Sequence, residues 1–139
     1  MRFMMIVKAS KESEAGMMPS KELVEAMGKF NEEMVRAGVL LAAEGLQASS
    51  KGARVKFAGT TRTVIDGPFS ETKELIAGFW LIQVKSKEDA IEWAKRSPNP
   101  HEHGETEIEI RKVFEASDFG PDAAEHEQAL RDEIQRRSK

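Results

Sequence analysis

The chain has no cysteine among its 139 residues. That excludes a disulfide scaffold, a thiolate metal site and a cysteine nucleophile. It has no excess of one charge, since 21 basic and 24 acidic residues leave a net charge of only −3. With both signs interspersed, there is no electrostatic footprint for nucleic acid or for an anionic membrane. No apolar stretch approaches the length of a membrane span. The opening MRFMMIVKAS is apolar for only a few residues and lacks a small-residue cleavage site. It reads as a first strand and not as a signal peptide, so a cytoplasmic location is expected. Internal repeats, low-complexity tracts, a phosphate-binding glycine loop, a G-x-S-x-G elbow and a dinucleotide fingerprint are all missing.

What is present suffices for one domain that buries a core without metal or disulfides. Arg2 to Lys8 is apolar on both parities, with Phe3, Met5 and Val7 alternating with Met4 and Ile6. A strand covered on both faces has that pattern. SKESEAGMM reads as a polar loop. Ser20 then caps a helix carrying Leu23, Met27, Phe30 and Met34 at helical spacing, which Gly38 closes. Val39 to Ala43 is a second strand. Arg54–Phe57 and Arg62–Ile65 flank AGTT as a rim hairpin, and Ile76 to Val84 is a third apolar run. Ser86 caps a helix whose inner face is Ala90, Ile91, Trp93 and Ala94, ended by SPNP. TEIEIRKVFE is the last strand, and Gly120-Pro121 opens a polar tail helix with a thin stripe of Ala123, Leu130 and Ile134.

Without hairpin and tail the order is strand, helix, strand, strand, helix, strand. The pattern predicts an α+β, ferredoxin-like (split βαβ) antiparallel sheet with two helices on one face and the first and third strands central. Residues 1–119 form the domain and 120–139 the tail. Two helices cover only one face of such a sheet. In Ile76 to Val84 the second parity carries Ala77, Phe79 and Leu81, and each large apolar side chain left in water costs roughly 1.5–3 kcal/mol. A second copy packing sheet to sheet is the simplest cover, giving a homodimer. The competing cover is the tail helix folded back over the sheet.

Asp66-Gly67-Pro68 must reverse the chain into the third strand. Pro68 removes the amide that an Asx turn would use. The Asp66 carboxylate therefore bonds further along, to the Phe69 or Ser70 amide, or points elsewhere. Asp66, Glu71, Lys73 and Glu74 are the densest ionisable cluster beside this turn, and Glu44 sits at the end of the second strand. A carboxylate at an apolar rim can serve as a general base. Turn formation and surface ion pairing compete as readings of the same residues. Glu107, Glu109 and Arg111 line a barrel interior or pair across a sheet edge. His101 and His103 supply only two imidazoles, where zinc needs more ligands, so PHEHG reads as a loop with surface histidines and no metal.

The run DGPFSETKE, Asp66 to Glu74, resembles the signature of the DGPF proteins of the YciI-related (YCII) group. AGVLLAAEGLQ before it, and LIAGFWLIQVKSKEDAIEWAKRSPNPH and IEIRKVFEASDF after it, extend the resemblance to residues 1–119. Ser70 stands where that family more often has Ala, and Lys112 where it often has Pro. The resemblance implies a dimeric α/β barrel with no settled activity, in a family many of whose members are encoded near extracytoplasmic-function sigma factors; no cofactor is expected. Smaller relatives are proposed to use a His–Asp pair, but no histidine precedes His101 here. The expected function is a small-molecule-binding barrel, either an isomerase, lyase or oxygenase-like enzyme or a non-catalytic regulatory protein. For the enzyme, Asp66 or Glu44 is the acid/base, and Lys73, Glu74 and Arg111 are polar ligand contacts. Phe79 and Trp80 form the apolar walls.

Overall fold

A computed structural model describes residues 1–102 and 104–138. Four strands form one antiparallel sheet: β1 (Arg2–Lys8), β2 (Leu40–Gly45), β5 (Ile76–Gln83) and β6 (Ile108–Lys112), in the order β2-β5-β1-β6. The fold is the ferredoxin-like one, with β1 and β5 central as their double-sided apolarity requires. Two further strands, β3 (Ala53–Ala58) and β4 (Thr61–Asp66), pair only with each other. All twelve of their residues are exposed, so the hairpin projects from the body.

Two helices, α2 (Lys21–Arg36) and α3 (Lys87–Arg96), cover one sheet face. Ser20 caps α2 by accepting the Leu23 amide at 3.1 Å, and Ser86 caps α3 through the Asp89 amide at 3.1 Å. Each satisfies an amide that the first helical turn leaves unpaired. The α2 stripe buries Leu23, Phe30 and Met34 and meets Phe3, Met5, Val7, Trp80 and Ile82 from the sheet, with Ala90 from α3. This is the apolar core. Phe30 and Trp80 meet edge to face, with ring centroids 5.4 Å apart at 89°, an arrangement favoured by the ring quadrupoles.

The opposite face carries Met4, Ile6, Phe79 and Leu81, all half-buried. Met4 lies between Leu81 and Arg111, and Ile6 between Phe79 and Glu109. The tail helix α4 (Pro121–Arg137) does not cover them. It has no buried residue, and Leu130 and Ile134 are exposed. Its charges pair within the helix, Arg131 with Glu127 and both Arg136 and Arg137 with Glu133. These arginines form a solvated helix face, as expected of a polar tail helix.

The stretch expected as a polar loop contains a one-turn helix, α1 (Lys11–Glu14). Ser10 Oγ accepts the Ser13 amide at 3.0 Å and Ser13 Oγ accepts the Ser10 amide at 2.9 Å. This is a capping box in which serine replaces the usual Glu or Gln. The second strand starts and ends one or two residues later than its sequence pattern suggested, with a register shift between Leu40 and Ala42.

A cleft at one end of the sheet

The two glycines of the central turn and strand are fixed by close approach. A Cβ on Gly67 would lie 1.8 Å from the Ser49 carbonyl oxygen, and one on Gly78 would lie 2.7 Å from that of Glu44. Only glycine lets the backbones meet there. The Asp66-Gly67-Pro68 turn, with a cis Gly67–Pro68 bond, is organised by Ser49 and not by Asp66. The Phe69 amide donates to Ser49 Oγ at 3.0 Å, so of the alternatives left open for the Asp66 carboxylate a bond to this amide is not the one realised. The Ser49 hydroxyl donates in turn to Glu14, whose other oxygen accepts the Ser49 amide at 2.9 Å. One serine therefore joins α1, the loop after β2 and the turn before β5. The Arg54 guanidinium stacks 3.7 Å above the Phe69 ring and secures the base of the hairpin to the same turn.

Beside this junction, with Glu14, Ala48 and Ser50 among its lining, lies a large open cleft of about 1370 Å³, between the first half of α2, the α1–α2 connection, the end of β2, and Pro100, His101, Glu102, Gly104 and Glu105. Leu23, Met27, Trp80, Val7 and Ala43 supply apolar wall. Asn31 and His101 bring polar groups into it. Asn31 Oδ1 accepts the indole N–H of Trp80 at 2.7 Å, pairing a donor that is otherwise buried with the ring. Glu12, Glu14, Glu44, Glu102 and Glu105 lie around the cleft, with Lys51 as the single lysine or arginine among its described residues. The cleft is acidic.

The sequence-predicted residues divide accordingly. Glu44, Phe79 and Trp80 border the cleft. Asp66 ends β4, exposed and paired in register with Ala53. Lys73 and Glu74 lie in an exposed 3-10 turn, Thr72–Glu74. These three are not brought to the cleft. Arg111 is exposed on β6 and ion-paired with Glu109 at 3.1 Å, and Lys8 reaches the same carboxylate at 3.1 Å. The hydrogen bond from Lys8, then that from Arg111, holds the Glu109 carboxyl below its ordinary pKa. The Lys8–Glu109 pair crosses from β1 to β6, whereas Arg111 and Glu109 pair along β6 itself. Trp80 faces the helices and Phe79 the open sheet face, so the two rings do not form one wall.

His101 sits in a loop, as expected, but is held there: it is half-buried, and its Nε2 lies 2.7 Å from the Lys8 carbonyl oxygen. Its amide donates to Asn99 Oδ1 at 3.0 Å. His103 lies outside the described residues, and so does the His-x-His arrangement. Among the described residues no three histidine, aspartate or glutamate side chains converge as a metal site, and no helix is long and apolar enough to cross a membrane.

Against known proteins, the chain matches the family model described as the YCII-related domain over residues 1–117. It is 31% identical, over 79 residues, to an uncharacterized protein of Rhizobium meliloti (strain 1021). That match covers 57% of this chain and 64% of the relative, so the chain spans less than two thirds of that protein.

Proposed function

The chain belongs to the YCII-related domain family, and on that premise we propose that it is a homodimeric barrel that binds a small, partly apolar molecule. The cleft is the observation that carries the ligand. It combines apolar walls with a few polar groups at fixed positions, as small-molecule sites do. Its acidic rim favours a neutral or cationic molecule over an anion. Lys73, which would have steered an anion, stands away from it. Of the two candidate acid/base carboxylates only Glu44 borders the cleft, and its pairing with Phe79 puts its side chain on the open sheet face, at the seam with the second copy. The second copy covers Met4, Ile6, Phe79 and Leu81, which no described element of this chain covers. Ion-paired Lys8, Glu109 and Arg111 rim that apolar patch, the usual anatomy of an interface.

A thermal-shift screen of small metabolites tests the ligand reading. Compounds that raise the melting temperature of the wild type should lose their effect in Gly78→Val, which crowds the Glu44 backbone beside the cleft, and keep it in Asp66→Asn. A response lost in Asp66→Asn alone would move the site to the turn. No response from any compound would remove the ligand reading.

One observation favours a second reading, that of a non-catalytic interaction protein. In the hairpin Val55 pairs with Val64 and Phe57 with Arg62, and Val55, Phe57 and Val64 are 52%, 67% and 67% exposed. These three share one side of the ribbon by strand alternation, as an apolar docking face would require. Phe57→Ser leaves metabolite responses intact under the first reading. Under the second it abolishes co-purification of a protein partner.

A further inference from the structure

His101 is the one ionisable side chain of the cleft whose ring is fixed by a backbone acceptor. A carbonyl oxygen can only accept, so the 2.7 Å contact to Lys8 O requires the proton on Nε2. In the neutral ring Nδ1 is then an unprotonated acceptor, and among the described residues it has no partner. The loop around His101 is held from several sides. Asn99 Oδ1 takes the His101 amide at 3.0 Å, and its Nδ2 donates to the Gly104 carbonyl at 3.1 Å. Glu102 adopts φ +53° and accepts the hydroxyl of Ser20, the cap of α2. A non-glycine residue in that region is uncommon and costs free energy, so the surrounding bonds must impose it. The result is an imidazole with a chosen tautomer beside a cleft walled by Leu23, Met27 and Trp80.

We propose that His101 Nδ1 is the proton acceptor of the cleft, receiving a hydrogen bond from a neutral ligand that pairs an apolar ring or chain with an acidic O–H, N–H or activated C–H. Where transfer follows, the ligand's X–H bond breaks with its electron pair left on X. The proton forms Nδ1–H, and the imidazolium keeps its Nε2–H on Lys8 O. Returning that proton to a second ligand atom completes a tautomerisation in which no atom or electron is gained or lost. The ring is suited to this because its orientation is fixed by the bond made on the other nitrogen. The proposal rests on the cleft being a ligand site and adds the group that recognises the ligand.

Phenol is the probe: its ring suits the apolar walls and its hydroxyl is an acidic donor. Long-range ¹H–¹⁵N spectra of the intact protein at mildly alkaline pH should show His101 with its proton on Nε2. The exposed His126 serves as internal comparison. Phenol should move the His101 Nδ1 resonance together with the Leu23 and Met27 methyl signals, saturably. In His101→Phe, binding should weaken about tenfold, the scale of one net hydrogen bond. The Trp80 indole signal reports that the fold is kept, and His101→Gln provides a second variant should the first unfold. A proton on Nδ1 in the free protein overturns the assignment. So does phenol binding to the variants as tightly as to the wild type with Leu23 and Met27 still perturbed, a result that leaves the cleft reading standing. Phenol that perturbs neither His101 nor the cleft residues overturns both.

Discussion

Replacing Asn31 by alanine removes the acceptor of the Trp80 indole N–H, a bond of 2.7 Å on a residue only 6% exposed. The ring stays in place, because Phe30 meets it edge to face and the core surrounds it. The N–H is left to find water from the cleft side or none. A buried donor left without a partner costs about 1–3 kcal/mol, while a net hydrogen bond replaced by water costs about 0.5–1.5 kcal/mol. Asn31 is half-buried and borders an open cleft, so water reaches one side and a loss of about 1–2 kcal/mol is expected. For a chain of this length that is roughly 3–7 °C in melting temperature. Urea unfolding followed by far-ultraviolet circular dichroism measures it, at one fixed protein concentration because the stability of the proposed dimer would depend on concentration. The partner variant Trp80→Phe removes the donor, and the double variant isolates the pair. A coupling of about 1 kcal/mol is expected between directly bonded side chains. A loss under about 0.5 kcal/mol in Asn31→Ala, or additive effects in the cycle, would refute the claim that this bond organises the cleft wall.

Further outcomes are expected elsewhere. Gly67→Ala places a Cβ where the Ser49 carbonyl stands, so it should lower the melting temperature more than Gly45→Ala, where the space is open and φ is not positive; equal effects would contradict the packing argument. Met34→Ala, at a residue with 0% exposure, should cost about 2–5 kcal/mol in urea unfolding. Arg2 grips Glu115 through two bonds of 3.0 and 3.1 Å, and this hydrogen bonding holds the Glu115 carboxyl below its ordinary pKa. A group depressed on folding stabilises above its unfolded pKa and loses that contribution as pH falls through the folded one. The stability difference between wild type and Arg2→Ala should therefore be present at neutral pH and shrink in acid. A difference that is constant with pH would exclude the pair as its source.

Much of the architecture was legible because it follows from side-chain parity. Met4 and Ile6 facing one way and Phe3, Met5 and Val7 the other could suit only an interior strand, and β1 is one. The helices announced their faces and caps through Leu23, Phe30, Met34, Ser20 and Ser86. The one-turn α1 was hidden because its capping box uses Ser13 where a longer side chain is the usual signal. The role of Gly67 was half visible: a turn glycine could be expected, but its need comes from Ser49, eighteen positions earlier. His101 was the least legible. Its acceptor is a backbone carbonyl at Lys8, and every residue carries a carbonyl, so no residue type marks the partner. Pro100 and His103 suggested a loop with surface histidines, whereas Asn99, Ser20 and Lys8 tie it down. Charge density misled in the other direction. Lys73 and Glu74 are clustered in sequence but exposed on a turn, because charged residues gather where water is available.

The account depends most on a second copy lying across Met4, Ile6, Phe79 and Leu81. Sedimentation equilibrium of the wild type and of Leu81→Arg, with circular dichroism to confirm that both are folded, tests it directly. Twice the chain mass for the wild type at micromolar concentration and a folded monomer for Leu81→Arg is the predicted result. A wild type that stays monomeric, or a Leu81→Arg variant that remains a dimer, would contradict it.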